Sequence, residues 1–66
     1  MKNTIRIERA ILNITQAELA GKVSVSRQTI NAIESQKYVP STVLALKIAR
    51  VFQKKVDDIF TLEEND

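Results

Sequence analysis

Residues Ser26, Arg27, Gln28 and Thr29 set four hydrogen-bonding side chains in a row, directly ahead of Ile30 and Ile33. Isoleucines three apart mark the inner stripe of a short helix. On such a helix Gln28, Asn31, Ala32 and Ser35 point outward, with Arg27 and Thr29 on the shoulders. The outward set is small, polar and nearly uncharged, without the Lys/Glu pairs of an ordinary solvated face. Amides both donate and accept, and a guanidinium donates from a planar fork. The chemistry on offer is recognition by hydrogen bonds, of the kind that reads base edges in a major groove: arginine on guanine, asparagine or glutamine on adenine. Other chemistry is poorly served. The chain has no histidine and no cysteine, and no carboxylate pair spaced for a cleft. No enzyme activity, metal site, cofactor or small-molecule ligand is expected.

The elements that must hold this row in place belong to a short chain. Its 66 residues allow one domain with one small core, residues 5–60, followed by an acidic tail, 61–66. The composition, 44% hydrophobic and 27% charged, is that of a folded globule. No apolar run approaches the ~20 residues of a membrane span, and no cleavable signal pattern opens the chain. Without cysteine there is no disulfide framework, and a cytoplasmic setting is the simplest expectation. The net charge of +2 is unevenly spread: all ten Lys and Arg precede residue 57, and five of the eight acids follow residue 56. A basic body suits a polyanionic partner, though a solvated surface alone would look the same.

Four junctions carry helix-start signals. Thr15 with Glu18 forms a capping box, closed by Ile14 and Leu19 as a hydrophobic staple. Ser26 repeats the arrangement with Val25 and Ile30. Ser41, after Pro40, caps "TVLALKIARVF", and Lys55 precedes "VDDIF", whose aspartates complement a helix dipole. Five helices are predicted, at roughly 3–12, 16–23, 27–35, 42–52 and 56–60. The second and third are separated only by Ser24, Val25 and Ser26, which forces an angled helix–turn–helix.

"TQAELAGKVSVSRQTINAIE" resembles the helix-turn-helix of the Cro/CI-type (XRE) DNA-binding domains. "YVPSTVLALKIARVF" and "VDDIF" resemble the helices that follow it in that family. The likeness runs over residues 5–60 in one register and looks closest to short stand-alone members of the cytolysin-repressor kind. It implies an all-α, five-helix, phage-repressor-like fold and a sequence-specific transcriptional regulator of double-stranded DNA, most simply a repressor. By this resemblance, and by the wheel for Asn31, the residues facing bases are Arg27, Gln28, Asn31 and Ala32. Those facing phosphates are Thr15, Gln16, Ser26, Thr29, Lys37 and Tyr38, and Gln16 is implied to buttress the third helix as well. Four of them have a plainer alternative: a phosphate for Arg27, a surface amide for Gln16, a solvated lysine for Lys37, no partner for Ala32. Arg9 and Glu34 are implied to form a partly buried structural ion pair between the first and third helices.

Three sites where the family commonly ends a helix with glycine carry Ser24, Gln36 and Gln53, and a fourth carries Asn13. Glycine adopts the left-handed conformation freely; Ser and Gln do so less well. Glu8 stands where the family is usually apolar, and Ile7 and Ile11 form a second apolar stripe that something should cover. One recognition helix reads too few base pairs to single out a site, so a homodimer on a palindromic operator is expected. Its interface is assigned to Val56, Ile59 and Leu62, with Phe52 and Phe60 in the core. The tail is expected to run extended beside the N-terminus and partly shield Ile7. The alternative function is a protein-interaction module of the same fold, such as an antitoxin-like or anti-repressor partner.

Overall fold

Side-chain caps decide where the helices begin. In a computed structural model describing residues 1–66, the order is β1 (Lys2–Asn3), α1 (Ile5–Leu12), α2 (Gln16–Lys22), α3 (Arg27–Glu34), α4 (Thr42–Phe52), α5 (Val56–Ile59) and β2 (Phe60–Thr61). At α2 the box is reciprocal. Thr15 Oγ1 accepts from the Glu18 amide (3.0 Å) while Glu18 Oε1 accepts from the Thr15 amide (3.0 Å). Ser26 Oγ accepts from the Thr29 amide (3.1 Å) and Ser41 Oγ from the Leu44 amide (3.2 Å). Asp58 Oδ2 takes the Lys55 amide (3.2 Å) at the head of α5. Each bond satisfies a donor that a helix start would otherwise leave open.

The helix ends are less comfortable. Asn13, Ser24, Gln36 and Gln53 all hold positive φ, at 57°, 62°, 62° and 55°. Each is followed by an amide that reaches back to the last turn: Ile14 to Arg9 O, Val25 to Ala20 O, Lys37 to Ala32 O and Lys54 to Ala49 O, at 2.9–3.1 Å. This is the left-handed termination for which glycine is the usual residue. Three of the four positions thus carry a Cβ-bearing residue with little taste for it, at about 1 kcal/mol or more each. The chain's single glycine lies elsewhere. Gly21 sits within α2 at ordinary φ, and a Cβ there would meet nothing within 4 Å.

The core draws on every helix. Ile5, Leu19, Val23, Ile30, Ile33, Ile48 and Ile59 are almost fully enclosed, with Ala20, Leu44, Ala49, Phe52 and Phe60 around them. Helices α2 and α3 pack most extensively on each other, so the turn between them is fixed by apolar contact on both sides. Ile59, expected at a dimer interface, has no exposed surface. The short α5 turns this face into the shared core, and only Val56, half-buried, and Leu62, 77% exposed, remain available from that set. No helix is long and apolar enough to cross a membrane.

Both ends of the predicted helical pattern yield to strand pairing. The first helix begins at Ile5 rather than residue 3, because Asn3 Oδ1 accepts from the Ile5 amide (3.2 Å) and Lys2–Asn3 pair with the tail. Phe60 leaves α5 to face Asn3 across this antiparallel pair, with Lys2 opposite Thr61. The tail does run extended beside the N-terminus, yet Ile7 remains 60% and Ile11 67% exposed. Glu8 is buried on α1, where Lys54 Nζ reaches its Oε2 at 2.7 Å. An ion pair thus spans from α1 to the α4–α5 turn where an apolar contact would ordinarily sit.

The left-handed ends give a direct test. Gln36→Gly and Gln53→Gly remove Cβ strain but add chain entropy to the unfolded state, effects of about 1 kcal/mol each and of opposite sign. Neither variant is expected to melt lower than wild type, and a gain of up to ~1 kcal/mol is expected where strain prevails. A clear drop in both melts would show that these backbones carry no strain.

Candidate nucleic-acid interface

The angled pair α2–α3 brings the anticipated residues into two clusters. Arg27, Gln28 and Asn31 are exposed on the outer face of α3, whereas Thr29 and Ala32 are half-buried. One shallow cleft is lined by Ser26, Gln28, Thr29, Ala32 and Tyr38, so Tyr38, in the connection between α3 and α4, stands beside the outer face of α3. A second gathers Thr15, Gln16 and Arg27 with Arg9 and Ile14. Lys37 lines neither of these two clefts and is exposed at the end of α3.

The capping hydroxyls retain little spare hydrogen-bonding capacity. Ser26 Oγ and Thr29 Oγ1 lie 3.0 Å apart, so one hydroxyl donates to the other and a single proton of the pair is left for an outside acceptor. Thr15 Oγ1 accepts from the Glu18 amide and keeps its own proton. The hydroxyls at the α2 and α3 starts therefore leave one proton free at each, set by the same bonds that begin the helices.

Beneath them runs a polar network that no local sequence rule indicates. Arg9 grips Glu34 with two parallel bonds, Nε to Oε2 at 2.7 Å and Nη2 to Oε1 at 3.0 Å, and its Nη1 also donates to Ile14 O (3.1 Å). The Glu34 side chain is 1% exposed and that of Arg9 15%. Gln16 Nε2 donates to Glu34 Oε1 (3.2 Å), and Gln16 Oε1 accepts from Arg27 Nη1 (3.0 Å) and Asn31 Nδ2 (3.4 Å). Arg6 adds a charge 3.7 Å from the same carboxylate. Asn3 Nδ2 donates to Ile33 O (2.9 Å), tying β1 to the C-terminal end of α3. Apart from the Arg9–Ile14 bond, the residues concerned are eleven to thirty positions apart, beyond the reach of helix periodicity.

Burial pushes the Glu34 carboxyl up, but the bonds from Arg9 and Gln16 and the charges of Arg9 and Arg6 outweigh it and hold the group below its usual value. The bond to Glu34 raises the Arg9 guanidinium still further. A carboxyl depressed on folding stabilises the native state above its unfolded value, near 4.3. That contribution fades as pH falls through 4.3 and toward the folded value. Acid should therefore destabilise the protein below about pH 4, and Glu34→Gln should reduce that loss. Urea unfolding of both proteins at pH 7 and pH 3 measures it; equal losses would assign the acid sensitivity to other carboxylates. Arg9→Met, which strands the carboxylate, is expected to cost about 3–5 kcal/mol at neutral pH.

Comparison with known proteins agrees with this architecture. The helix-turn-helix family model matches residues 5–59, the span from the start of α1 to the end of α5. The chain is 53% identical over 66 residues to an uncharacterized HTH-type transcriptional regulator of Methanocaldococcus jannaschii, with both chains covered in full. It is 47% identical, again over the whole of both chains, to one of Bacillus subtilis. Among solved structures, the P22 c2 repressor protein, crystallised with synthetic operator 9T in the presence of Tl+, superposes with a TM-score of 0.77 at 32% identity, covering 80% of each chain. The five-helix, phage-repressor-like domain described above belongs to the helix-turn-helix family of the Cro/CI (XRE) type.

Proposed function

We propose that the chain is a sequence-specific double-stranded DNA-binding transcriptional regulator, a repressor that binds a palindromic operator as a homodimer and acts by binding rather than catalysis. The observation that carries this reading is the outer face of α3. It is an exposed row of Arg27, Gln28 and Asn31 on a helix anchored by Ile30 and Ile33, in a fold shared with an operator-bound repressor. In this reading Arg27, Gln28, Asn31 and Ala32 face base edges. Thr15, Gln16, Ser26, Thr29, Lys37 and Tyr38 face phosphates, the first four at helix starts where amide dipoles favour an anion.

The dimer reading rests on the face between α4 and α5. Leu46, 56% exposed, and half-buried Val56 line one groove there with Arg50, Lys54, Lys55, Asp57 and Asp58. The groove carries both basic residues and aspartates, so a second copy could meet charges of opposite sign across a twofold axis, as a symmetric interface requires. The domain is 31 Å long. Two copies side by side can set their α3 helices one DNA turn apart, about 34 Å.

Arg27→Ala should weaken binding to the selected site by ~1–3 kcal/mol and relax the preference at one base pair. Lys37→Ala should weaken all sequences alike and lower the salt slope by about one. Selection from random duplexes, followed by titrations at several salt concentrations, separates the two. The roles are misassigned if Lys37→Ala changes the preferred base and Arg27→Ala does not.

Leu46→Asp or Val56→Asp should give a folded monomer with much weaker operator binding. Sedimentation and circular dichroism on the same samples check this, and a variant that remains dimeric moves the interface elsewhere.

A further inference from the structure

Between Ser35 and Val56 the chain holds five basic residues and no acidic one. Of these five, Lys54 alone has a carboxylate within ion-pair distance, that of Glu8 at 2.7 Å. Lys47 and Arg50 stand on the outer face of α4, exposed and without a counter-charge. Beside them that face is apolar: Val43 is 63% and Leu46 56% exposed. Val43, Leu46, Lys47 and Arg50 line one shallow cleft, at i, i+3, i+4 and i+7 of the helix. Val43 and Lys47 line another with Val25 and Tyr38, while Leu46 and Arg50 also belong to the α4–α5 groove. The three join end to end along α4.

An occupant has to cover two aliphatic side chains and answer two unpaired cations. A phosphate backbone answers the cations, but it sets charged oxygens against Val43 and Leu46, whose burial needs apolar atoms. A twofold axis through this stretch would set Lys47 and Arg50 against their own copies. The α5 end of the groove differs, since Asp57 and Asp58 are there to meet the bases of a second copy. What fits between Val43 and Arg50 is an amphipathic helix with aliphatic residues along one face and carboxylates on its margins. Over this stretch α4 rises about 11 Å, two helical turns. We propose that this face of α4 is a docking site for an acidic amphipathic helix of a partner protein, which opposes dimer formation because Leu46 and Arg50 belong to both surfaces. The docking site stands on the α4 face alone; its effect on operator binding rests on the dimer reading above.

The probes are designed helical peptides of about sixteen residues, long enough to be partly helical alone. One carries leucines along one face and glutamates on both margins. Its twins replace every glutamate by lysine, or every leucine by glutamine, and a further peptide is residues 55–64 of this chain. The acidic leucine peptide is expected to bind the full chain, less tightly as salt is raised, and each twin about tenfold more weakly or worse. Val43→Asp and Lys47→Glu, both at exposed positions, should each weaken it about tenfold, with helical content and melting unchanged. Lys47→Glu combined with Arg50→Glu should turn the preference toward the lysine twin. Saturating acidic peptide should shift the sedimenting dimer to monomer and release the selected operator. Equal binding of the lysine twin, indifference to Val43→Asp and Lys47→Glu, or a dimer that persists with peptide bound overturns the proposal. So does tighter binding of residues 55–64 to this face, which makes a second copy its occupant. A uniform loss of operator affinity in Lys47→Gln, with the salt slope lowered by about one, also overturns it and makes the face a phosphate contact. If the chain binds its operator as a monomer, the dimer reading falls, and the peptide titrations alone decide the docking site.

Discussion

The Glu34 carboxylate is the point on which this small structure converges. Desolvating a charge is expensive, and the expense is offset only when every oxygen is hydrogen-bonded. Arg9 supplies two bonds and Gln16 a third, so one buried group fixes α1, the start of α2 and the end of α3 relative to each other. Apolar contacts between α2 and α3 are non-directional and would tolerate some sliding. A bidentate ion pair is directional. It converts a hydrophobic crossing into one defined angle, and so fixes the direction in which the outer face of α3 is presented.

Around that anchor the domain is built with strain in some places and precision in others. Helix starts are capped by side chains at 3.0–3.2 Å, whereas three helix ends hold Ser or Gln in a conformation suited to glycine. Both oxygens of the buried Glu34 carboxylate are hydrogen-bonded, yet Thr4 Oγ1 lies buried without a partner. A domain of this size has only a few kcal/mol to spare. Losses of this kind at several positions draw directly on that margin.

The far side of the molecule is organised by a second ion pair. Glu8 and Lys54 join α1 to the α4–α5 turn, and Lys54 also lines the groove that carries Leu46 and Val56. With Ile59 drawn fully into the core, an interface on this face has to be built from α4 as much as from α5. The α1 stripe of Ile7 and Ile11 lies outside these arrangements and stays open despite the nearby strand pair.

What the sequence determined by itself is local: signals that act within one turn or one helix. Thr15, Ser26 and Ser41 announced their helices because a cap and the amide it binds are three residues apart. The stripe of Ile30 and Ile33 marked the inner face of α3, and hence the outer one, because helical periodicity is a property of the chain alone. Asn13, Ser24, Gln36 and Gln53 could be named as left-handed candidates by their places after helices, through the family resemblance. What only the tertiary structure decided depends on segments distant in sequence meeting in space. Lys2–Asn3 read as the start of a helix until pairing with Phe60–Thr61 satisfied their backbones in another way. Ile59 read as an outward residue because α5 has a single turn, too short for periodicity to say which side faces the core. Gln16 was implied by the resemblance to buttress the third helix; the partners through which it does so, Glu34 and Arg27, lie eighteen and eleven residues away, and no pattern along the chain encodes that meeting.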